Sequence, residues 1–263
     1  MSAGAPGLLP GRQRFPSAEV RDAPDAVLPC RHPLSCACGG RAMTRPLRAL
    51  RRDAATGRAR SALVFLHGYG ADAQDLFGLA EPLAPHLPDT LFLSVEAPEP
   101  CRAAPWGRQW FPIPWIDGSS EAEAREGLLS AAADLQAWLD ATLEAEGLAA
   151  GRLALFGFSQ GAMMALHCAP RRSETLAGVV ACSGRLLAPE RLAAETLSRP
   201  PVLLLHGDRD EVVPPAAMPE AAHALHDAGW TAVRTHVMRG TAHGIAPDGL
   251  GVALAFLRDR LAV

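Results

Sequence analysis

Short apolar runs without polar alternation recur along the chain, each followed by a stretch with helical spacing. Residues 63–66, 91–95, 153–157, 178–182 and 202–205 have the length and composition of strands buried on both faces. Residues 231–238 read as a last, more amphipathic strand, and 47–52 as an initial edge strand. Helices are predicted over 72–83, 121–146, 159–169, 189–197, 215–228 and 249–261. The second of these carries the clearest signals: Ser119-Ser120 precedes Glu121 and Glu123, Leu128, Leu135, Trp138 and Leu139 mark one face, and Gly147 ends it. Strands in alternation with helices imply an α/β fold with a mostly parallel central sheet and helices on both of its faces. At 263 residues the chain suits a single domain of that kind.

One of these strands runs directly into Gly157-Phe158-Ser159-Gln160-Gly161, and a helix-forming stretch follows. A serine hydroxyl is a weak nucleophile until it is held clear of the backbone and a neighbouring base takes its proton. A tight strand-to-helix turn with glycine on either side does the first task. A chance glycine-serine turn would have the same five residues, but not the flanking strand and helix. The strand at 202–205 ends in His206-Gly207-Asp208-Arg209-Asp210-Glu211-Val212-Val213-Pro214, a polar turn rich in acids. Later, Gly240-Thr241-Ala242-His243-Gly244 places a histidine in a glycine-flanked loop after another strand. Serine, then aspartate, then histidine is the chain order of the α/β-hydrolases, and each interval leaves room for a crossover unit. His243 would take the proton of Ser159 and return it to the leaving group, and an acid of the 208–211 turn would orient the imidazole.

The strand at 63–66 ends in His67-Gly68-Tyr69-Gly70-Ala71-Asp72. In this architecture the loop at that position donates one backbone N–H to the oxyanion, and the residue after the nucleophile donates the other. The expected donors are therefore the backbone N–H groups of Tyr69 and Gln160. His67 is read as a structural imidazole holding the loop, with a catalytic base as the alternative.

Five segments together resemble the phospholipase/carboxylesterase family, which includes bacterial carboxylesterases and acyl-protein thioesterases. They are His67-Gly-Tyr-Gly-Ala-Asp72, Glu99-Pro-Cys101 with Gly107-Arg-Gln-Trp-Phe111, Gly157-Phe-Ser-Gln-Gly161, His206 through Pro214, and Gly240-Thr-Ala-His-Gly244. The resemblance runs from about Arg45 to the C-terminus. It implies a compact α/β-hydrolase without a large cap domain, acting on short- to medium-chain acyl esters or thioesters, lysophospholipids included. It also implies that Asp210 is the triad acid and that Asp208 belongs to the turn. Two departures stand out: many members have leucine where this chain has Tyr69, and an aspartate near Pro112.

The segment between the strand at 91–95 and the long helix is rich in proline and tryptophan, with Trp106, Trp110, Phe111 and Trp115 close together. Trp110 and Phe111 are expected to line the acyl pocket, though packing of a long loop over the sheet edge also uses aromatics. Arg108 is expected either to meet a substrate anion or to anchor the loop.

Composition narrows the partners. Formal charge is −3, and no basic cluster has interleaved aromatics, which argues against a nucleic-acid partner. No apolar run approaches the roughly 20 residues needed to span a bilayer, so no stable membrane insertion is expected. All 25 basic residues are arginine, and lysine and asparagine are absent, a bias expected of a GC-rich bacterial genome. Residues 1–42 contain six prolines and five glycines and show no hydrophobic period. They are expected to be a disordered extension, with Met43 the simplest start of the 43–263 hydrolase domain. Cys30, Cys36 and Cys38 fall in that extension and lack the partner set of a zinc site, so no metal or other cofactor is expected. No disulfide framework is apparent, in keeping with a cytoplasmic enzyme, monomeric or homodimeric. Two other classes are weighed: a non-catalytic binding protein would tend to have a damaged triad, and a dienelactone-type hydrolase would have cysteine at position 159, which is serine.

Overall fold

The computed structural model describes residues 44–261. Met43, the preceding extension and its three cysteines lie outside the described residues. The strands are β1 (Ala49–Arg52), β2 (Ser61–Leu66), β3 (Thr90–Val95), β4 (Glu99–Pro100), β5 (Arg108–Gln109), β6 (Leu153–Phe158), β7 (Gly178–Cys182), β8 (Val202–Gly207) and β9 (Val233–Met238). The helices are α1 (Ala73–Phe77), α2 (Ala80–Leu83), α3 (Pro114–Asp117), α4 (Glu121–Glu146), α5 (Gln160–Cys168), α6 (Pro189–Glu195), α7 (Ala217–Asp227) and α8 (Pro247–Leu261). Seven strands form the main sheet in the order β1-β3-β2-β6-β7-β8-β9, antiparallel only between β1 and β3. The order runs outward both ways from β2 and β6, so the carboxyl ends of the central strands share one edge.

The absence of polar alternation in β2 has a direct cause. Ala62, Val64 and Leu66 face a core built with Ala131, Leu135 and Leu139 of α4 and the apolar side of α5. Leu63 and Phe65 face a second core with Leu76 of α1 and Phe256 and Leu257 of α8. Both faces are therefore covered, and every residue of β2 is buried. Helix α4 spans the predicted residues. Ser120 and Glu123 cap each other's backbone in a reciprocal box, and Gly147 closes the helix with a left-handed φ of 63°. The helix predicted over 72–83 is instead split into α1 and α2. Pro82 has no N–H to continue the ladder back to Gly78, so the two pieces meet at a break.

The short β4–β5 hairpin and α3 were not foreseen. Both fall in the proline-rich segment 96–120, where two-residue strands and a one-turn helix leave no periodic signal. That segment is an elaborated loop, and no large cap covers the sheet among the described residues. Nor is any described helix long and apolar enough to cross a membrane.

His67 ties this loop to the sheet. Its ring lies at the end of β2, wholly buried, where Nδ1–H donates to the carbonyl of Gly68 at 2.8 Å and Nε2 accepts the N–H of Ala97 at 3.1 Å. Its own carbonyl accepts the indole N–H of Trp110 at 3.0 Å. Burial pushes the imidazole down from 6.5 to about 4, so it is neutral and structural at ordinary pH. Unfolding releases a ring that binds a proton below about 6.5. Stability should then fall as pH drops through that value and go on falling until about 4, with His167, likewise buried and lowered to about 4, adding to the slope. Urea unfolding at pH 7.5 and 5 checks this: His67→Gln, lacking the titrating ring, should lose less stability between the two pH values than the wild type.

Candidate active site

The site sits at the carboxyl edge of the sheet, and its first element is the turn between β6 and α5. Ser159 has φ 53° and ψ −117°, a conformation that a residue with a side chain adopts only when its surroundings enforce it. Its N–H is held by the carbonyl of Cys182 at 2.8 Å, and its carbonyl receives the N–H of Met163 at 3.1 Å. The glycines on either side are demanded by contact. A Cβ at Gly157 would lie 2.3 Å from the carbonyl oxygen of Gly161, and one at Gly161 would lie 1.9 Å from that of Leu66. The helix start therefore presses against the end of β2 and brings Ser159 beside the loop that follows it.

Three sequence-predicted residues meet here. The hydroxyl of Ser159 donates to Nε2 of His243 at 2.9 Å, and Nδ1–H of His243 donates to Oδ2 of Asp210 at 2.8 Å. The ring of Phe158 packs against that of His243, centroids 4.9 Å apart, which limits the imidazole's rotation. The chain can pass the serine proton to the imidazole, leaving an imidazolium that faces a buried carboxylate.

Asp210 is almost inaccessible to solvent, and burial alone would raise its pKa. Hydrogen bonds from His206 and His243 and from the backbone N–H of Val213 outweigh that effect and hold it well below the usual carboxylate range. Asp208 does other work. Its Oδ1 accepts the N–H of Gly240 at 2.6 Å, tying the turn after β8 to the loop that carries His243. The same two segments touch at Gly207, where a Cβ would lie 2.3 Å from the carbonyl oxygen of Thr241.

The loop after β2 lies alongside the nucleophile: a Cβ on Gly68 would be 3.3 Å from Cβ of Ser159. Tyr69 follows, its phenol donating to Oδ2 of Asp117 on α3 at 2.9 Å. That bond gives the hydroxyl, one of the departures from the family pattern, a partner that a leucine could not have. Gln160 opens α5, where the first backbone N–H groups of a helix have no partner within it. Its side chain has a role that sequence reasoning missed: Oε1 accepts the N–H of Trp110 at 2.9 Å and Nε2 donates to the carbonyl of Phe111 at 2.7 Å. A glutamine directly after a nucleophile was a visible signal, but its partners lie 50 residues away in a segment without periodicity.

The aromatic insertion differs from expectation. Trp110 is completely buried and Phe111 nearly so, both within the core beneath the loop, so neither presents a wall to a substrate. Their polar backbone groups are consumed by Gln160, and the Trp110 indole by His67. Arg108 is half-buried and donates to the carbonyls of Ala97 at 2.9 Å and Pro98 at 2.7 Å, while its backbone pairs with Gly70 and Ala71. These bonds anchor the loop. The exposed aromatics are Trp106, at 88 %, and Trp115, at 60 %, the latter beneath the guanidinium of Arg185. Among the described residues no group of three or more His, Cys, Asp or Glu side chains is arranged to hold a metal ion.

Comparison with known proteins identifies the family. The family model described as phospholipase/carboxylesterase matches residues 53–261. The chain is 29 % identical over 201 residues to esterase YpfH of Escherichia coli K12, covering 76 % of this chain and 83 % of that one. It is 28 % identical over 222 residues to acyl-protein thioesterase 1 of Neurospora crassa, covering 79 % and 89 %. Among solved structures, esterase PE8 superposes with a TM-score of 0.78 at 42 % identity, over 82 % of this chain and all of that one. A serine hydroxyl aligned on an imidazole at the edge of an α/β sheet, in a chain with these relatives, belongs to a serine hydrolase of the phospholipase/carboxylesterase family.

Proposed function

We propose that this protein hydrolyses short- to medium-chain carboxylic esters through an acyl-enzyme, with Ser159 as nucleophile, His243 as general base and acid, and Asp210 as its orienting partner. The observation that carries the reading is the continuous hydroxyl–imidazole–carboxylate chain, with links of 2.9 and 2.8 Å. Oγ of Ser159 attacks the ester carbonyl as its proton moves to Nε2 of His243. The oxyanion is received by the backbone N–H groups of Gln160 and Tyr69, and His243 then protonates the departing alcohol. Water, deprotonated by the same imidazole, releases the acid and restores Ser159. No cofactor enters any step.

Short to medium chains fit what surrounds the triad. Phe158, packed against His243, offers apolar surface beside the nucleophile, and with no large cap above it a long chain would leave that surface after several carbons. Each buried methylene contributes about 0.8 kcal/mol, so kcat/KM should rise over the first carbons and then level off. An acyl thioester is the second reading, supported by the similarity to acyl-protein thioesterase 1. Three buried free cysteines, Cys101, Cys168 and Cys182, support a reducing, cytoplasmic setting.

A panel of p-nitrophenyl esters from acetate to palmitate, with matched acyl thioesters, tests the substrate class on the purified chain. Ser159→Ala should lower kcat on the order of 10⁶-fold and abolish labelling by a fluorophosphonate, with an unchanged circular dichroism spectrum. Asp210→Asn should cost about 10⁴-fold in kcat, because the amide favours the wrong imidazole tautomer. Asp208→Asn should cost little, since the amide oxygen can still accept the N–H of Gly240; equal losses in the two variants would exclude Asp210 as the orienting acid. Trp110→Ala should destabilise the fold by about 3–5 kcal/mol and lower kcat/KM by the same factor on acetate and octanoate esters, as expected of a core residue beneath the loop and not of a pocket wall.

A further inference from the structure

The carboxylate assigned to the triad serves two imidazoles, and only one of them belongs to the triad. His206, the penultimate residue of β8, is 2 % exposed. Its Nε2 lies 3.0 Å from the carbonyl oxygen of Val213 and 3.3 Å from Oδ2 of Asp210, the oxygen that also receives Nδ1–H of His243. A carbonyl can only accept, so Nε2 carries the proton and shares it between the two oxygens. The remaining oxygen of Asp210, Oδ1, accepts the N–H groups of Val212 and Val213, each at 2.9 Å. His206 thus spans the turn from Asp210 to Val213 and completes a set of four donors around one buried carboxylate.

We infer that His206 is a positioning residue for ester hydrolysis: it fixes the plane of the Asp210 carboxylate and limits how much of its negative charge is felt by His243. The inference rests on the Ser159–His243–Asp210 reading given above. A carboxylate that donates part of its electron density to an additional N–H is a weaker partner for the imidazolium formed during turnover. Without that N–H, Oδ2 would concentrate its charge on His243 and hold the imidazolium more tightly.

The other ionisable groups around this cluster leave that assignment clear. From β7, Cys182 approaches, with Sγ near the carbonyl of Gly244 and the hydroxyl of Ser183, and burial pushes its thiol up to about 12, so it remains neutral in any practical assay. From the turn, Asp208 is engaged with the N–H of Gly240 and faces Arg239 at 3.6 Å, while Arg209 and Glu211 are directed to solvent. From α5 and its turn, only the hydroxyl of Ser159 meets the imidazole of His243.

The test is the pH dependence of kcat/KM on p-nitrophenyl acetate for the full chain, with three variants. His206→Phe keeps a ring of similar size without the donor, and His206→Gln can carry an amide N–H to the position of Nε2. The acidic limb should move up by about half a pH unit in His206→Phe and return to within about 0.2 unit of the wild type in His206→Gln. If the phenylalanine variant does not fold, His206→Asn, one methylene too short to reach Oδ2, should show the same upward shift. Proton NMR of the free enzyme provides a readout independent of turnover: the low-field Nδ1 proton of His243 should move further downfield in the variants that lack the donor. An unmoved limb with an unmoved resonance would overturn the inference, as would a glutamine variant shifted as far as the phenylalanine one. The triad reading fails separately, on retained activity of Ser159→Ala, and the NMR comparison would still report whether His206 acts on the Asp210–His243 bond.

Discussion

The contact between Gly161 and the carbonyl of Leu66 is the constraint around which the site is arranged. No side chain fits there, since a Cβ would sit 1.9 Å from that oxygen. The start of α5 can therefore lie against the end of β2, the sheet neighbour of β6, the strand that leads into α5. Two features follow from this packing. Ser159 is forced into its positive-φ turn, and the N-terminus of α5 comes to lie beside the loop 67–71. A nucleophile and the two N–H groups proposed to receive the oxyanion must be within a few ångströms of each other, and the glycine contact sets that separation through rigid backbone. The buried apolar faces of β2, β6 and α5 supply the stability that offsets the strained turn.

Around that contact, polar side chains fix loops to the sheet. Each loop leaves the carboxyl edge of a strand, has at most a two-residue ladder of its own, and is held by a side chain rooted in a more rigid element. His67 at the end of β2 holds the backbone of Ala97, and Gln160 at the head of α5 holds those of Trp110 and Phe111. Asp208 at the end of β8 holds Gly240 near His243. Buried backbone groups without partners are costly, so each of these side chains satisfies loop N–H or carbonyl groups that water cannot reach. Asp210 follows the same rule with a full charge. Four donors around it make its burial tolerable, and the charge is then available to the imidazole of His243 in a region of low dielectric.

The aromatic segment shows how burial divides residues that are adjacent in sequence. Trp110 and Phe111 lie inside, whereas Trp106 and Trp115 lie outside. Both sets are amphipathic and neither repeats with a helical or strand period, so composition alone could not assign them to core or surface. Arg108, between them, is half-buried and held by two carbonyl groups of its own loop.

All seven strands of the main sheet, and the span of α4, were legible from the chain because strand-length apolar patterns and capping residues act locally. The order of serine, aspartate and histidine was legible too, since a nucleophile elbow needs glycines at fixed offsets and the remaining residues must come from later strand ends. The two-residue strands β4 and β5 and the single turn of α3 were not, because their conformation is imposed by contacts with Gly70 and Tyr69 and not by their own residues. The choice between Asp208 and Asp210 likewise lay beyond local spacing. It was decided by which carboxylate the fold carries to His243 and which it spends on the N–H of Gly240. The sequence alone determined the strands, the helices and the residue types available for chemistry. Tertiary structure decided their partners, because a hydrogen bond is made by atoms that the fold brings within about 3 Å, and most of those atoms lie far apart along the chain.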